Sequence, residues 1–569
     1  MDQFKKREQK NIGRILFVYL GGAWVFIEAL NFLVDKYYWN SRVLDILILL
    51  IIFGLPATVI FQWFNRKFTR KAIVFQSLNL VIALSVISFS LIHPNRVNPR
   101  QIRLIKFKNE QKKLAESVRA LAILPFSNFT GEESNTSLVA GLHDALIGEF
   151  GQIGAIRVMS RTSTLPYANS QKTVKSIASE LNVDAILETS VLSVDKGIRI
   201  QVKLINAVPE VQLWSRTFDT ELDNIMGLYN DIISNIASQI HLALLPDEAI
   251  NLQESSLVNP EAYKAYLEGV FQSEKLTESG FELSLLSFER SLELDSMFAP
   301  AYAGIAFAWI GALQMGHVSV TEAIPQIYKN NQSALNLDSN FPEAQYIKAL
   351  MSLQGEWDWE KSEIAFQKAI ELNPNHILSH AYYSHLLLIL KRIDEALAEM
   401  EIALELDPNN SLVLSLYAVV LWHQGELDQA LELATRSFEI NSDRLVFTIL
   451  HATHYLKGDL NASMEILELL YGDDLDNFDS VIKEYEEVSY ESAMVKLAGL
   501  LQERTPRKHL QIAILLNRGG MHDAAINWLE KGVENHDTGM PYAFIPAELD
   551  NLRDDPRYEA LAQKMNLPF

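Results

Sequence analysis

Three tripeptides, Leu372-Asn373-Pro374, Leu406-Asp407-Pro408 and Ile440-Asn441-Ser442, recur at 34-residue intervals and restrict the fold more tightly than any other feature of the chain. Each closes a run with small or apolar residues at matching offsets: Ser362, Phe366 and Ala369; Ala396, Met400 and Ala403; Ala430, Ala434 and Ser437. A small residue one turn from an apolar one lets two antiparallel helices approach closely. The polar or Pro closure then ends the pair and starts the next. A single pair cannot bury its own apolar face, so the stretch Glu343–Ser442 predicts stacked pairs that share one continuous core.

This period and these offsets resemble the tetratricopeptide (TPR) repeat. Leu294-Asp-Ser296 and Leu337-Asp-Ser339 read as earlier closures 43 residues apart, and the extra length predicts an extended helix pair around Gly311–Pro325. Beyond Ser442, Leu445–Leu470 imitates a repeat with Met464 at a small position, Asp473–Glu491 reads as acidic and irregular, and 510–569 as a helical cap. In TPR proteins the first helix of each unit lines a groove, which here would hold Ile347 and Met351, then Leu378, His385 and Leu388, then Leu412, Val419 and Trp422. Ala344, Gln354, Ala381 and Ser415 share those positions. The Lys and Asn with which chaperone-binding members hold a carboxylate are absent, so the groove suits an amphipathic or extended protein segment with Trp422 as anchor. The chain's own 473–491 segment is the other candidate occupant.

Charge divides the chain of 569 residues and net charge −22. Up to Lys113 there are 18 Lys+Arg against 6 Asp+Glu, whereas the rest carries 31 against 65. The acidic balance argues against nucleic acid as a partner. No cysteine is present, which removes thiol and zinc-thiolate chemistry. After a basic tail (1–14), Ile15–Val34, Val43–Phe64 and Ala72–Ile92 are each long and apolar enough to be read as transmembrane helices. Basic residues in the tail and in the 65–71 loop favour the tail inside, and three crossings then put the body outside. The expectation is a multi-pass protein of the cytoplasmic membrane with periplasmic soluble domains. Glu28 and Asn31 fall within the first span; a basic linker (94–117) follows the third, in which Arg100–Glu116 reads either as an amphipathic helix on anionic lipid or as plain linker.

From Val118 a compact α/β unit is predicted. Val118–Phe126 and Ile156–Met159 read as strands, Asn135–Phe150 and Thr173–Asn182 as helices, and Ala185–Val194, Ile198–Ile205 and Val211–Phe218 as further strands. A long helix, Asp223–Leu244, would cover the sheet. With Leu124-Pro125-Phe126, Asn128, Gly141, Ser160-Arg161, Glu180-Leu181, Leu187-Glu188, Trp214 and Asp219 in register, residues 118–245 resemble the TolB amino-terminal-like domain. That resemblance implies a Rossmann-like sensing or docking module beside TPR repeats in bacterial membrane proteins, without established catalysis. It extends to the capping end around Pro546–Leu561.

No Gly-rich phosphate loop, dinucleotide fingerprint, Gly-x-Ser-x-Gly or His-Glu-x-x-His occurs. No cofactor or metal is expected. His376, His380 and His385 are assigned to interhelical packing, as are His451 and His454, because no carboxylate completes a ligand set. Ligands of open α/β units sit beyond the carboxyl ends of parallel strands, which here gathers Asn128, Thr130, Arg161, Ser163 and Thr164. Arg161 could bind a carboxylate or phosphate there, or could be tied to an acidic neighbour such as Glu188.

The sequence is therefore read as multidomain: transmembrane helices (15–93), the α/β domain (118–245), an all-α TPR solenoid (259–472) and a terminal region (473–569). The expected function is a non-catalytic, membrane-anchored protein-interaction scaffold. The alternatives are an envelope signal receptor whose α/β unit binds a small ligand, and a degenerate relative of TPR-containing nucleotide cyclases.

Overall fold

The computed structural model describes residues 69–92, 113–114, 117–129, 136–194, 197–220, 231–232, 235–236, 259–441, 444–472, 475–504, 508–545 and 547–568, with isolated positions before residue 60. The chain forms two compact units, Met1–Lys108 and Asn109–Phe569. In the first, one helix runs Arg70–Ile92, and the Gln76 side-chain amide donates to the Ala57 carbonyl at 2.7 Å. Among the described residues no helix is long and apolar enough to cross a membrane. This overturns the expected transmembrane helices and, with them, the multi-pass inner-membrane localisation. Gln76, Ser77, Asn79 and Ser85 interrupt the apolar run of this helix, the third expected span. Glu28, Asn31 and most of the first two spans and of the 94–117 linker lie outside the described residues.

The second unit begins with a mixed six-stranded sheet. Strands β1 (Ala120–Ile123), β2 (Ser127–Phe129), β3 (Arg157–Val158), β4 (Ala185–Val194), β5 (Gly197–Asn206) and β6 (Val211–Thr220) run in the order β3-β1-β4-β5-β6, with β2 extending the pairing on β4. β1 lies parallel to β3 and β4, whereas β4, β5 and β6 form an antiparallel meander. Because successive side chains point to opposite faces, Leu121 and Ile123 join Leu142, Leu146 and Phe150 of helix Thr136–Gly151 on one side of β1. Ala120 and Ala122 join Ile177 and Leu181 of helix Val174–Leu181 on the other. Thr173 caps that helix by accepting from the Ser176 amide, and Asn182 ends it in the left-handed region at φ 51°. Most of the expected Asp223–Leu244 helix lies outside the described residues.

Helix pairs follow from Pro260 onward. All nine residues at the repeat offsets, from Ser362 to Ser437, have no solvent exposure. Serine hydroxyls also join the helices of a pair: Ser362 Oγ donates to the Ala349 carbonyl at 2.9 Å, and Ser384 Oγ, from the first helix of its pair, to the Ala396 carbonyl at 2.6 Å. The extended pair is present as Ala299–Met315 and Val320–Leu337, the second started by a Ser319–Glu322 capping box and carrying Pro325 within it. The acidic stretch after 473 is not irregular throughout: Asp479–Glu487 is a helix and Tyr490 starts another.

The α/β unit and the solenoid share one hydrophobic cluster, in which Leu121, Leu142 and Phe150 meet Tyr263, Leu267 and Phe298. At the other end, the Trp359 indole donates to the carbonyls of Met565 and Asn566 at 3.1 and 3.0 Å. The end of the chain is thereby held against the repeats.

Candidate functional site

The first helices of two consecutive repeats, Ile377–Ile389 and Ser411–Gln424, are rich in apolar residues, and both contribute side chains to the interior of the solenoid. Later helices do not fill that interior. A cavity of about 340 Å³ remains between these helices, helix Arg444–Leu456, helix His509–Arg518 and the terminal turns at Tyr542 and Glu548. Its walls are mainly Leu416, Val419, Leu445, Ile449, Leu467 and Ile514, with aromatic rings from Tyr382, Trp422 and Tyr542.

A few polar groups converge on this apolar space. Arg518 and Glu548 form an ion pair at 2.7 Å with side chains only 1% and 2% exposed. Arg518 Nη1 lies 3.1 Å from His451 Nδ1 and 3.4 Å from the Tyr490 hydroxyl, and its guanidinium stacks 4.3 Å from the Tyr455 ring centroid. Its Nη2 is buried and has no partner. Two other lining residues hold such an atom, Trp422 Nε1 and His423 Nδ1, and all three atoms are inaccessible to water, so none of them faces the open space of the cavity. His385 is fully engaged: its Nε2 donates to the Leu416 carbonyl (3.1 Å), and its Nδ1 accepts from the Tyr542 hydroxyl (3.0 Å). Burial lowers His385 to about 4, and burial together with His385 lowers His423 to about 3. His451 is held well below its ordinary value by burial and by Arg518. All three imidazoles are therefore neutral near pH 7, and the only formal charges among these groups are the paired ones of Arg518 and Glu548.

The groove residues divide accordingly. His385, Val419 and Trp422 line the cavity, with Gln354 beside them. Ile347, Met351 and Leu388 are buried in the repeat core, and Leu378 and Leu412 pack half-buried against it. Part of the groove is occupied by the chain itself, through the turn Met540–Phe544 rather than through 473–491. Arg518, His423, His451 and Glu548 carry no mark in the repeat pattern. A lone arginine ending the apolar run Ile512–Leu516 is the single sequence signal that points to one of them.

The α/β candidates have another use. Arg161 is paired with Glu274 at the end of the first solenoid helix, not with Glu188. Ser163 Oγ donates to Asp407, and Thr164 Oγ1 to the carbonyls of Ser160 and Arg161. Asn128 is exposed and Thr130 lies outside the described residues. Asn375, in a repeat closure, completes the junction: its amide donates to Gly151 O (2.8 Å) and Ile156 O (3.1 Å) and its oxygen accepts from Val158 N (3.0 Å). Asp144, Glu149, Glu274 and Glu343 crowd the same junction, and burial raises Glu149, Glu274 and Glu343 to about 7. The Arg161 group of side chains is thus a docking contact between the sheet and the repeats. His376 and His380 are likewise structural, the first capping its helix and the second bound to Glu399 at 2.6 Å.

Residues 117–236 match the family model for the second domain of HilA/YgeH-like transcriptional regulators, in place of the TolB family expected from the sequence. Residues 365–398 and 387–450 match tetratricopeptide repeat models, so the solenoid contains TPR repeats, which suggest a scaffold for protein contacts. A Rhizobium meliloti (strain 1021) protein named "Putative adenylate cyclase 3" is 25% identical over 235 residues, which are 41% of this chain and 40% of that protein. Among solved structures, Pseudomonas aeruginosa PilF is 17% identical over 37% of this chain and 93% of its own, with a TM-score of 0.29. The TPR protein YrrB is 22% identical over 34% of this chain and 91% of its own at 0.24, and human IFIT1 14% identical over 54% and 77% at 0.35.

Proposed function

We propose that this chain is a non-catalytic regulatory scaffold: a TPR solenoid that contacts a protein partner and whose shape is set by a small molecule held in its inner cavity. The carrying observation is the cavity itself, about 340 Å³ lined mainly by apolar and aromatic side chains and bordered by the terminal turns. A molecule seated there would take that apolar wall out of water. The domain order supports a regulatory role, because the α/β unit is joined to the repeats by Asn375, Asp407 and Glu274 and would move with them. Similarity to a regulator's second domain and to a protein named as a cyclase supports a place in signalling.

A thermal-shift screen of chemically mixed fragments against the full chain tests this reading, with Val419→Phe as a variant whose larger side chain fills the space. Fragments should stabilise the natural chain and not the variant. The reading is overturned if no fragment stabilises the chain, or if the variant responds equally.

A further inference from the structure

We infer that the cavity takes an uncharged, largely apolar molecule whose polarity is limited to a neutral group such as a hydroxyl, ketone or amide; this deepens the reading above and rests on it. The inference follows from what the lining residues turn towards the open space and what they withhold from it. Arg518 and Glu548 are the only charged residues in the lining, and each charge is spent on the other through side chains only 1% and 2% exposed. Trp422 is half-buried in the wall with its Nε1 inaccessible to water, so it presents ring carbon. Both nitrogens of His385 and the Tyr542 hydroxyl are engaged. An ionic group entering this space would leave water without finding a counterion, because the one pair of charges is already closed.

The accessible part of the wall sets the rest of the ligand. Val419, Leu445, Leu510 and Ile514 all line the space and are all half-buried, so carbon is what a molecule there would cover. Gln354 and Gln511 are the neutral exceptions. Both line the cavity half-buried, and neither side-chain amide makes a hydrogen bond among the described residues. An amide both donates and accepts, so it matches a neutral polar group without supplying a charge. A cavity near 340 Å³ lies at the small end of ligand pockets, enough for a ring system with a short side arm but not for a folded peptide.

Three probes that share one ring and differ at the end of the side arm test the class: tryptophol, indole-3-acetate and tryptamine, which end in a hydroxyl, a carboxylate and an ammonium. Calorimetric titration of the full chain near pH 7 should show binding of tryptophol, lost in Val419→Phe, and binding of both ions at least about tenfold weaker. Lowering the pH then separates charge from shape, because the acid becomes neutral with its ring unchanged. Its affinity relative to tryptophol should rise as the pH falls from about 7 to about 5, by up to about tenfold per unit where only the neutral acid is taken up. A ratio that stays flat over this range, or an ion that binds as tightly as tryptophol near pH 7, overturns the class. If none of the three binds, the fragments that stabilise the natural chain and not Val419→Phe decide: mostly uncharged fragments uphold the class, mostly charged ones overturn it and leave the cavity reading standing, and the absence of any such fragment overturns both.

Discussion

Removing Glu548 should unfasten the cavity's closing turn, and the size of the effect can be worked from the Arg518–Glu548 pair. Both side chains are essentially out of solvent, so Glu548→Leu leaves a guanidinium charge buried without its counterion. Truncating one partner of such a pair costs about 3–5 kcal/mol. The Tyr455 face and the Tyr490 hydroxyl remain near Arg518 and offset only a part of this, about 1–2 kcal/mol for a desolvated cation over a ring. A net loss of about 1–4 kcal/mol corresponds to roughly 5- to 1,000-fold faster amide exchange in helix His509–Arg518 and turn Ala547–Leu552, wherever local opening limits exchange. Replacing both residues by apolar ones, Arg518→Met with Glu548→Leu, removes the stranded charge and should restore most of the protection. Hydrogen exchange read by mass spectrometry on the full chain makes the comparison. Loss of protection below about threefold in the single variant, or a double variant no better than the single, would refute the buried-pair argument.

Other consequences concern the junction between sheet and solenoid. Asn375→Ala removes three hydrogen bonds to Gly151, Ile156 and Val158 and should cost about 3 kcal/mol of docking stability, seen as faster proteolysis between residues 151 and 160 with the repeats intact. A methyl group at Gly141 would meet Leu267 Cβ at 2.7 Å, so Gly141→Ala should loosen the same contact by about 1–3 kcal/mol, measured by exchange in helix Thr136–Gly151. The junction should also weaken as pH rises. Burial holds Glu149, Glu274 and Glu343 near 7, so the docked form keeps protons that the separated form releases nearer 4.5. Their contribution to docking is complete below about 4.5 and falls as pH rises towards 7. Asp144 is raised with them, while Arg161 pulls Asp144 and Glu274 the other way. Exchange in helix Thr136–Gly151, corrected for intrinsic rates, should rise between pH 5 and 8, and Glu343→Gln should flatten that rise.

The repeat was legible because its physics is local. Ser362, Phe366 and Ala369 and their counterparts must be small or apolar wherever two helices cross, so spacing alone exposes them. Strands β4, β5 and β6 were legible for a similar reason, since alternation along 198–205 declares one buried face. The membrane spans were misread because mean apolarity over a window does not register the polar positions Gln76, Ser77 and Asn79, and Gln76 is spent on a backbone carbonyl. Arg161 and Ser163 were placed in a ligand site because topology alone puts strand ends in solvent; Glu274 and Asp407, 113 and 244 residues away, turn that edge into an interface. The cavity was half legible. Repeat positions found His385, Val419 and Trp422, but Arg518 and Glu548 come from helices and turns outside the repeat period, and no spacing rule links them to Trp422.

The central claim, that the interior of the solenoid holds a small molecule, is tested most directly by native mass spectrometry of the full chain purified without heat or denaturant. A bound small mass that is released on collisional activation and is absent from Val419→Phe is the predicted result. A natural chain that carries no such mass, and gains none after incubation with the mixed fragments, would contradict the account.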